Sequence, residues 1–118
     1  VQMCTTQLTT DHSVVAQMVG SGQISLDESR SHPQRSTLYR AIGTEPVVEI
    51  DTQVVTLKPH DLLLLCSDGL IAHIDDQELT QLTLEQPDPD RACAQLVTLA
   101  NARGGDDNIS VVMVRMTR

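Results

Sequence analysis

The residues with the clearest chemical potential are two aspartates set at the ends of apolar runs. Asp68 follows the leucines of "LLLLCSDGL", residues 62–70, and Asp107 precedes the valines of "GGDDNISVVMV", residues 104–114. Gly69 and Gly104-Gly105 permit tight backbone turns beside them. If the two runs are neighbouring antiparallel strands, the C-terminal end of one and the N-terminal end of the other share a sheet edge, and the two carboxylates come close. Close carboxylates repel, and a bound divalent cation removes that penalty. Hard carboxylate oxygens suit Mg²⁺ or Mn²⁺. Such an ion lowers the pKa of bound water and makes a nucleophile at neutral pH. A plainer reading stands beside this one: Asp-Gly is a common turn pair, and Asp107-Asn108 can cap a turn through their side chains. Asp106 is the second choice to Asp107, either solvated or holding a metal water.

The elements that must position these acids are readable in outline. "DLLLLCS" shows no alternation, which predicts a strand covered on both faces; "NISVVMVRM" predicts a buried final strand. Residues 47–57, "VVEIDTQVVTL", are rich in β-branched side chains and predict another strand, and residues 1–9 are a strand or its tail. "DHSVVAQMVGSG" predicts a short helix capped by Asp11 or Thr10 and ended by Gly20 and Gly22. "SLDE" reads as a capping box at Ser25–Glu28, with Pro33 stopping that helix. Asp75 and Glu78 suit the start of a helix running to about Leu84. In "DPDRACAQLVTLANARGG", Asp88 caps, Pro89 takes the first helical position, and Ala92, Leu96 and Ala100 form an apolar stripe. Mixed strands and helices imply a layered α/β or α+β arrangement. Nothing in the composition marks a linker or domain boundary.

Charge narrows the function classes. The 118 residues carry a net charge of -8, from 16 acids against 8 bases, and the acids are concentrated from residue 60 onward. That argues against nonspecific nucleic-acid binding, which depends on neutralising phosphates, and favours a site that gathers divalent cations. There is no Trp or Phe and one Tyr, Tyr39, so a core must come from aliphatic side chains. Three cysteines without a CxxC give no disulfide framework and no zinc knuckle, and a reducing, cytoplasmic setting is expected. No signal peptide or membrane span is expected.

The remaining reactive side chains have plainer readings. Cys66 lies inside the apolar run and lacks a phosphate-cradling loop, so core packing is expected. His12 is read as fixing a loop by hydrogen bonding, His60 as solvated in a turn, and His73 as either surface or core. Asp11 is read as a helix cap.

Taken in order, "LTTDHSVVAQMVGSGQIS", "SHPQRSTLYRAIG", "LLLLCSDGL" and "GGDDNISVVMV" resemble motifs of the metal-dependent protein serine/threonine phosphatases of the 2C family, bacterial type, over nearly the whole chain. The resemblance implies an α+β fold: a layered sandwich of antiparallel sheets flanked by helices, with a metal centre of two or more Mg²⁺ or Mn²⁺ ions at one end. Carried over, Asp68 and Asp107 would be metal ligands and Asn108 would brace the loop. Residues from about 20 to 43 would form a flap-like segment in which His32 and Arg35 face substrate. Ser36, Ile71 and Ala72 depart from the common pattern, which touches flap geometry and substrate preference more than ligation.

The family's domain is about twice this length, and its early acid, bridging Asp-Gly pair and phosphate-binding arginine have no counterpart before Asp11. The chain therefore resembles the C-terminal half of such a domain, with the missing N-terminal half as its first partner and a phosphorylated protein or peptide as substrate. The implied reaction is hydrolysis of phosphoserine or phosphothreonine by a metal-activated water, with no side-chain nucleophile. The alternative is a non-catalytic remnant or interaction module that binds a partner through the sheet face the other half would cover.

Overall fold

The computed structural model describes residues 5–34 and 37–117. It divides into two compact units: Gln7–Val54, and the chain from Val55 onward together with the segment ending at Thr6. The sequence was expected to carry no boundary. The division falls within "QVVTL", where no proline, glycine or serine tract betrays it.

The later unit contains β1 (Leu62–Cys66), α3 (Asp68–Ile71), α4 (Asp76–Glu85), α5 (Pro89–Ala102) and β2 (Val111–Arg115); the Gln7–Val54 unit contains α1 (Val14–Gly20) and α2 (Leu26–Ser31). Strands β1 and β2 pair antiparallel, from Leu62 opposite Arg115 to Cys66 opposite Val111. Alternation of side chains then decides the two faces. Leu64, Val111 and Met113 turn inward and pack on a core of Leu70, Ile74, Leu79, Leu96 and Ala100. The opposite face carries the cross-strand pairs Leu63–Val114 and Leu65–Val112, and Leu65 and Val112 are 53% and 58% exposed. The expectation that both faces are covered is thus met on one face only.

Helix α5 forms as its sequence dictates. The Asp88 side chain accepts from the Asp90 amide, Pro89 sits in the first turn, and Ala92, Leu96 and Ala100 are fully buried along one stripe. Beyond Arg103 the chain turns back through Gly104 and Gly105, at φ 145° and 59°, values that side chains with a Cβ rarely adopt. Helix α4 starts at the cap Asp75, whose carboxylate accepts from Glu78.

In the Gln7–Val54 unit, α2 has the expected capping box, with Ser25 and Glu28 bonding each other's backbone. Helix α1 begins later than expected: its cap is Ser13, which accepts from the Ala16 amide, rather than Asp11 or Thr10. The strand expected at residues 47–57 does not form, and neither does one at residues 5–9. β-Branched residues favour a pleated, half-buried surface rather than a backbone shape of their own. Val54 is 99% exposed, with nothing to supply that surface.

Candidate metal centre

Strand β1 ends with Cys66 opposite Val111, and one residue on, the Ser67 amide still donates to the Ser110 carbonyl at 3.0 Å. There the two chains separate. Ser67 occupies the cap position of α3 without using its side chain as a cap. Its hydroxyl instead donates to the Asn108 carbonyl at 3.1 Å and accepts from the Ser110 amide at 3.0 Å, a dual role open to any hydroxyl. This fastens the start of α3 to the segment leading into β2. Gly69 sits so near that segment that an added Cβ would run into the Asn108 carbonyl oxygen. Only glycine lets the two backbones meet this closely.

The antiparallel pairing that a shared acidic edge requires is therefore present, and it brings the Asp68 and Asp107 segments into backbone contact. Both residues are exposed. Asp68 opens α3 rather than a simple turn. The Asp107 Oδ1 accepts from the following Asn108 amide at 2.7 Å, so one oxygen does what the plainer turn-capping reading asks of it. Among the described residues, no hydrogen bond or ion pair engages Asp107 Oδ2 or the Asp68 carboxylate. Asn108 braces the loop through its backbone, donating to Asp107 and accepting from Ser67.

A clasp lies behind this edge. His73 Nε2 stands 3.3 Å from Asp106 Oδ2, so Asp106 is paired rather than only solvated. The His73 carbonyl accepts from Arg103 Nη1 at 2.7 Å, and the same nitrogen donates to Glu78 Oε1 at 2.8 Å. Hydrogen bonding from Arg103 holds the Glu78 carboxyl below its ordinary value.

Among the described residues there is no group of three or more His, Cys, Asp or Glu side chains able to hold a metal ion. The two aspartates nonetheless fit Mg²⁺ or Mn²⁺ in donor type. They supply hard oxygens, and Mg²⁺ is commonly held by one or two carboxylates with waters and substrate phosphates completing the shell. They amount to part of a donor set.

The other site candidates lie in the Gln7–Val54 unit. His32 follows α2 as its C-cap, and its Nδ1 accepts from the Gln34 amide at 3.1 Å. Arg35 lies outside the described residues. His12 fixes a loop as expected: its Nε2 is 2.8 Å from Asp51 Oδ2, while Arg40 Nη1 is 2.9 Å from Asp51 Oδ1. Hydrogen bonds from His12 and then Arg40 hold the Asp51 carboxyl below its ordinary range. A shallow hollow of about 630 Å³ lies over this cluster. Its arginine is already engaged by Asp51 and Glu49, which leaves little of its charge for an anion.

Sequence reasoning passed over Ser67 and Arg103, and left His73 open. A serine before Asp-Gly reads locally as a cap, and only the strand pairing shows that its hydroxyl crosses to Asn108 and Ser110. Arg103 meets Glu78 only across 25 residues, a contact no local pattern marks.

Comparison with known proteins places the chain. Residues 16–117 match the family described as Stage II sporulation protein E (SpoIIE), and the chain belongs to that family, whose relatives here are 2C-type phosphatases. It is 40% identical over 108 residues to the serine/threonine phosphatase stp of Listeria monocytogenes serotype 4b, covering 92% of this chain and 43% of that protein. The crystal structure of serine/threonine phosphatase Stp1 from Staphylococcus aureus superposes with a TM-score of 0.87 at 33% identity, covering 96% of this chain and 44% of that one. The catalytic domain of the serine/threonine protein phosphatase PstP in complex with 2 manganese ions gives 0.78 at 31% identity, covering 94% and 45%. The chain thus spans under half the length of these relatives, and it corresponds to the C-terminal half of their domain. Its α+β architecture, a partial domain of antiparallel sheet and helices, agrees with theirs. No helix among the described residues is long and apolar enough to cross a membrane.

Proposed function

We propose that this chain is the metal-ligating C-terminal half of a protein serine/threonine phosphatase domain acting on phosphorylated protein or peptide. Asp68 and Asp107 would hold Mg²⁺ or Mn²⁺ ions, with the remaining ligands supplied by the N-terminal half. The observation that carries this reading is the β1–β2 pairing, which sets both aspartates on one edge, pinned by Ser67 and by the glycine contact at Gly69. The manganese-bound relative supports the choice of ion. Bound there, the ions would supply Lewis acidity that makes water nucleophilic at neutral pH and offsets phosphate charge. The chain's own contribution is positional: two exposed acids held by backbone contacts, with no side-chain nucleophile. On the same reading residues 20–43 form the flap-like segment, and His32 and Arg35 are its substrate-side candidates.

The test is Mn²⁺-dependent phosphate release from a phosphothreonine peptide by the domain assembled from this chain and its N-terminal half. Asp68→Asn or Asp107→Asn should each lower the rate by roughly a hundredfold, equivalent to about 3 kcal/mol of transition-state stabilisation, with the fold retained. An unchanged rate in either variant defeats the assignment. The 118 residues alone should show little turnover, because two carboxylates do not complete the centre.

One observation favours a second reading, a partner-binding remnant. The outward face of the sheet exposes Leu63, Leu65, Val112 and Val114 to differing degrees, and unpartnered apolar surface of this kind marks interaction sites. Both readings put the N-terminal half on offer as partner. They part on turnover: an assembled domain that binds but releases no phosphate at any Mn²⁺ or Mg²⁺ concentration favours the remnant.

A further inference from the structure

We infer that His73 is a positioning residue for the candidate metal centre, acting through Asp106 on the loop that presents Asp107. The inference rests on the assignment of Asp68 and Asp107 as ligands and extends it to a residue that touches neither.

His73 follows α3, the helix that Asp68 opens, and just past its end the His73 amide donates back to the Leu70 carbonyl at 3.2 Å. Its neighbour Ile74 is buried in the core, so its backbone has little freedom. Its ring is 18% exposed and reaches outward to Asp106, which is 72% exposed. The loop running from Gly104 to Asn108 is polar and solvent-exposed, with no apolar side chain to anchor it. Its restraints include the Gly104 and Gly105 amides bonded to the Asn101 and Ala100 carbonyls, the Ser67 hydroxyl on Asn108, and His73 on Asp106 between them. Gly104 shows how closely His73 is fitted: an added Cβ there would stand 3.1 Å from His73 Cε1 and 3.3 Å from both Asp106 carboxylate oxygens. Arg103 fixes the other side of the same residue through the His73 carbonyl.

So one residue joins the segment bearing Asp68 to the residue adjoining Asp107. A neutral imidazole with its proton on Nε2 is enough to donate to Asp106, and the role requires no change of protonation. Mutating the outer partners that orient metal ligands typically costs about 10–100-fold in metal affinity or activity. Holding Asp106 would narrow the positions open to the Asp107 carboxylate and raise the fraction of time both acids are ready to share an ion.

The measurement is a Mn²⁺ titration of the ¹⁵N-labelled chain, followed by paramagnetic broadening of individual amide signals. Broadening should centre on residues 67–69 and 106–109. His73→Ala should raise the apparent Kd by about tenfold, the lower end of what outer partners contribute, while amide shifts elsewhere in β1, α5 and β2 hold. His73→Gln, which places an amide donor near the Nε2 position, should restore most of the affinity. His73→Phe keeps the bulk of the ring without its donor and should weaken binding in the same direction, which keeps the test open if His73→Ala unfolds. Asp107→Asn is the control for the underlying assignment and should abolish the localised broadening. Persistence of that broadening in Asp107→Asn removes the ligand assignment and this inference with it. Loss in Asp107→Asn with unchanged Kd in both His73→Ala and His73→Phe leaves the ligands standing and overturns the positioning role alone.

Discussion

The two units of this chain are built on different physics. From Val55 onward, Leu70, Ile74, Leu96, Ala92 and Ala100 are essentially removed from solvent, and the sheet and α5 close over them. Among the described residues of Gln7–Val54 the buried hydrophobic residue is Val15, while Ile42, Val47, Ile50 and Val54 are exposed. That unit is held by polar contacts: Val14 to Thr37, Tyr39 to His12, and the Asp51 carboxylate between His12 and Arg40. Apolar burial is bulky and cooperative, whereas exposed ion pairs contribute little and weaken with salt. The comparison teaches where precision resides. The candidate ligands stand on the unit with the core, and the candidate flap occupies the unit whose contacts are easily exchanged.

The strongest way to break this contrast is Leu96→Ala. It should destabilise the unit from Val55 onward by about 2–5 kcal/mol, the range for emptying a buried leucine site. Hydrogen exchange should accelerate across α5, β1 and β2 while the amides of α1 hold their rates. Uniform acceleration in both units would mean that they share one cooperative core. A smaller effect is expected from Ser25→Ala, which removes the cap of α2 at a cost of about 1 kcal/mol. It should appear as fraying of α2 alone in the same exchange experiment. Smaller again, Arg40→Met should loosen residues 39–51 and abolish the salt sensitivity of their exchange. The Leu96 region should be insensitive to salt throughout.

Acid should produce the finest distinction. Glu78 and Asp51 both have carboxyl groups held below their ordinary values, 4.5 and 3.8, by hydrogen bonds from Arg103 and from His12 with Arg40 respectively. A depressed carboxyl contributes stability that is complete above its unfolded value and is lost as pH falls through the folded one. Neither contribution should change between neutral pH and about pH 5. On further acidification the Glu78 clasp and the Asp51 cluster should both weaken. The unit lacking a core should lose exchange protection first, and simultaneous loss would blur the comparison.

Much of the later unit was legible in the sequence because its signals are local. Asp88-Pro89 announces the start of α5, and the spacing of Ala92, Leu96 and Ala100 announces its buried stripe. In the Gln7–Val54 unit, Ser25 and Glu28 announce their capping box in the same way. The leucine run from Leu62 identified β1, although its outward face could not be read, since a missing cover leaves no mark on the residues awaiting it. The expectation failed at residues 47–57 for a related reason: Val47, Ile50 and Val54 have strand-forming side chains without a neighbouring strand among the described residues. The edge shared by Asp68 and Asp107 was reachable from the order of the two runs. The hydroxyl bridge at Ser67 and the clasp at His73 were not, because each depends on residues at least 30 positions apart meeting in space.

The contact at Gly69 carries a consequence for reach. Where two main chains touch with no side chain between them, neither can yield to make room. The Asp68 side of the edge is therefore set firmly, while the Asp107 side rests on the exposed Gly104–Asn108 loop. Glutamate in place of Asp68 keeps the charge but pushes the oxygens outward by one methylene, and the backbone beside Gly69 has little slack to draw them back. If Asp68 holds an ion as proposed, charge conservation alone should not restore binding there.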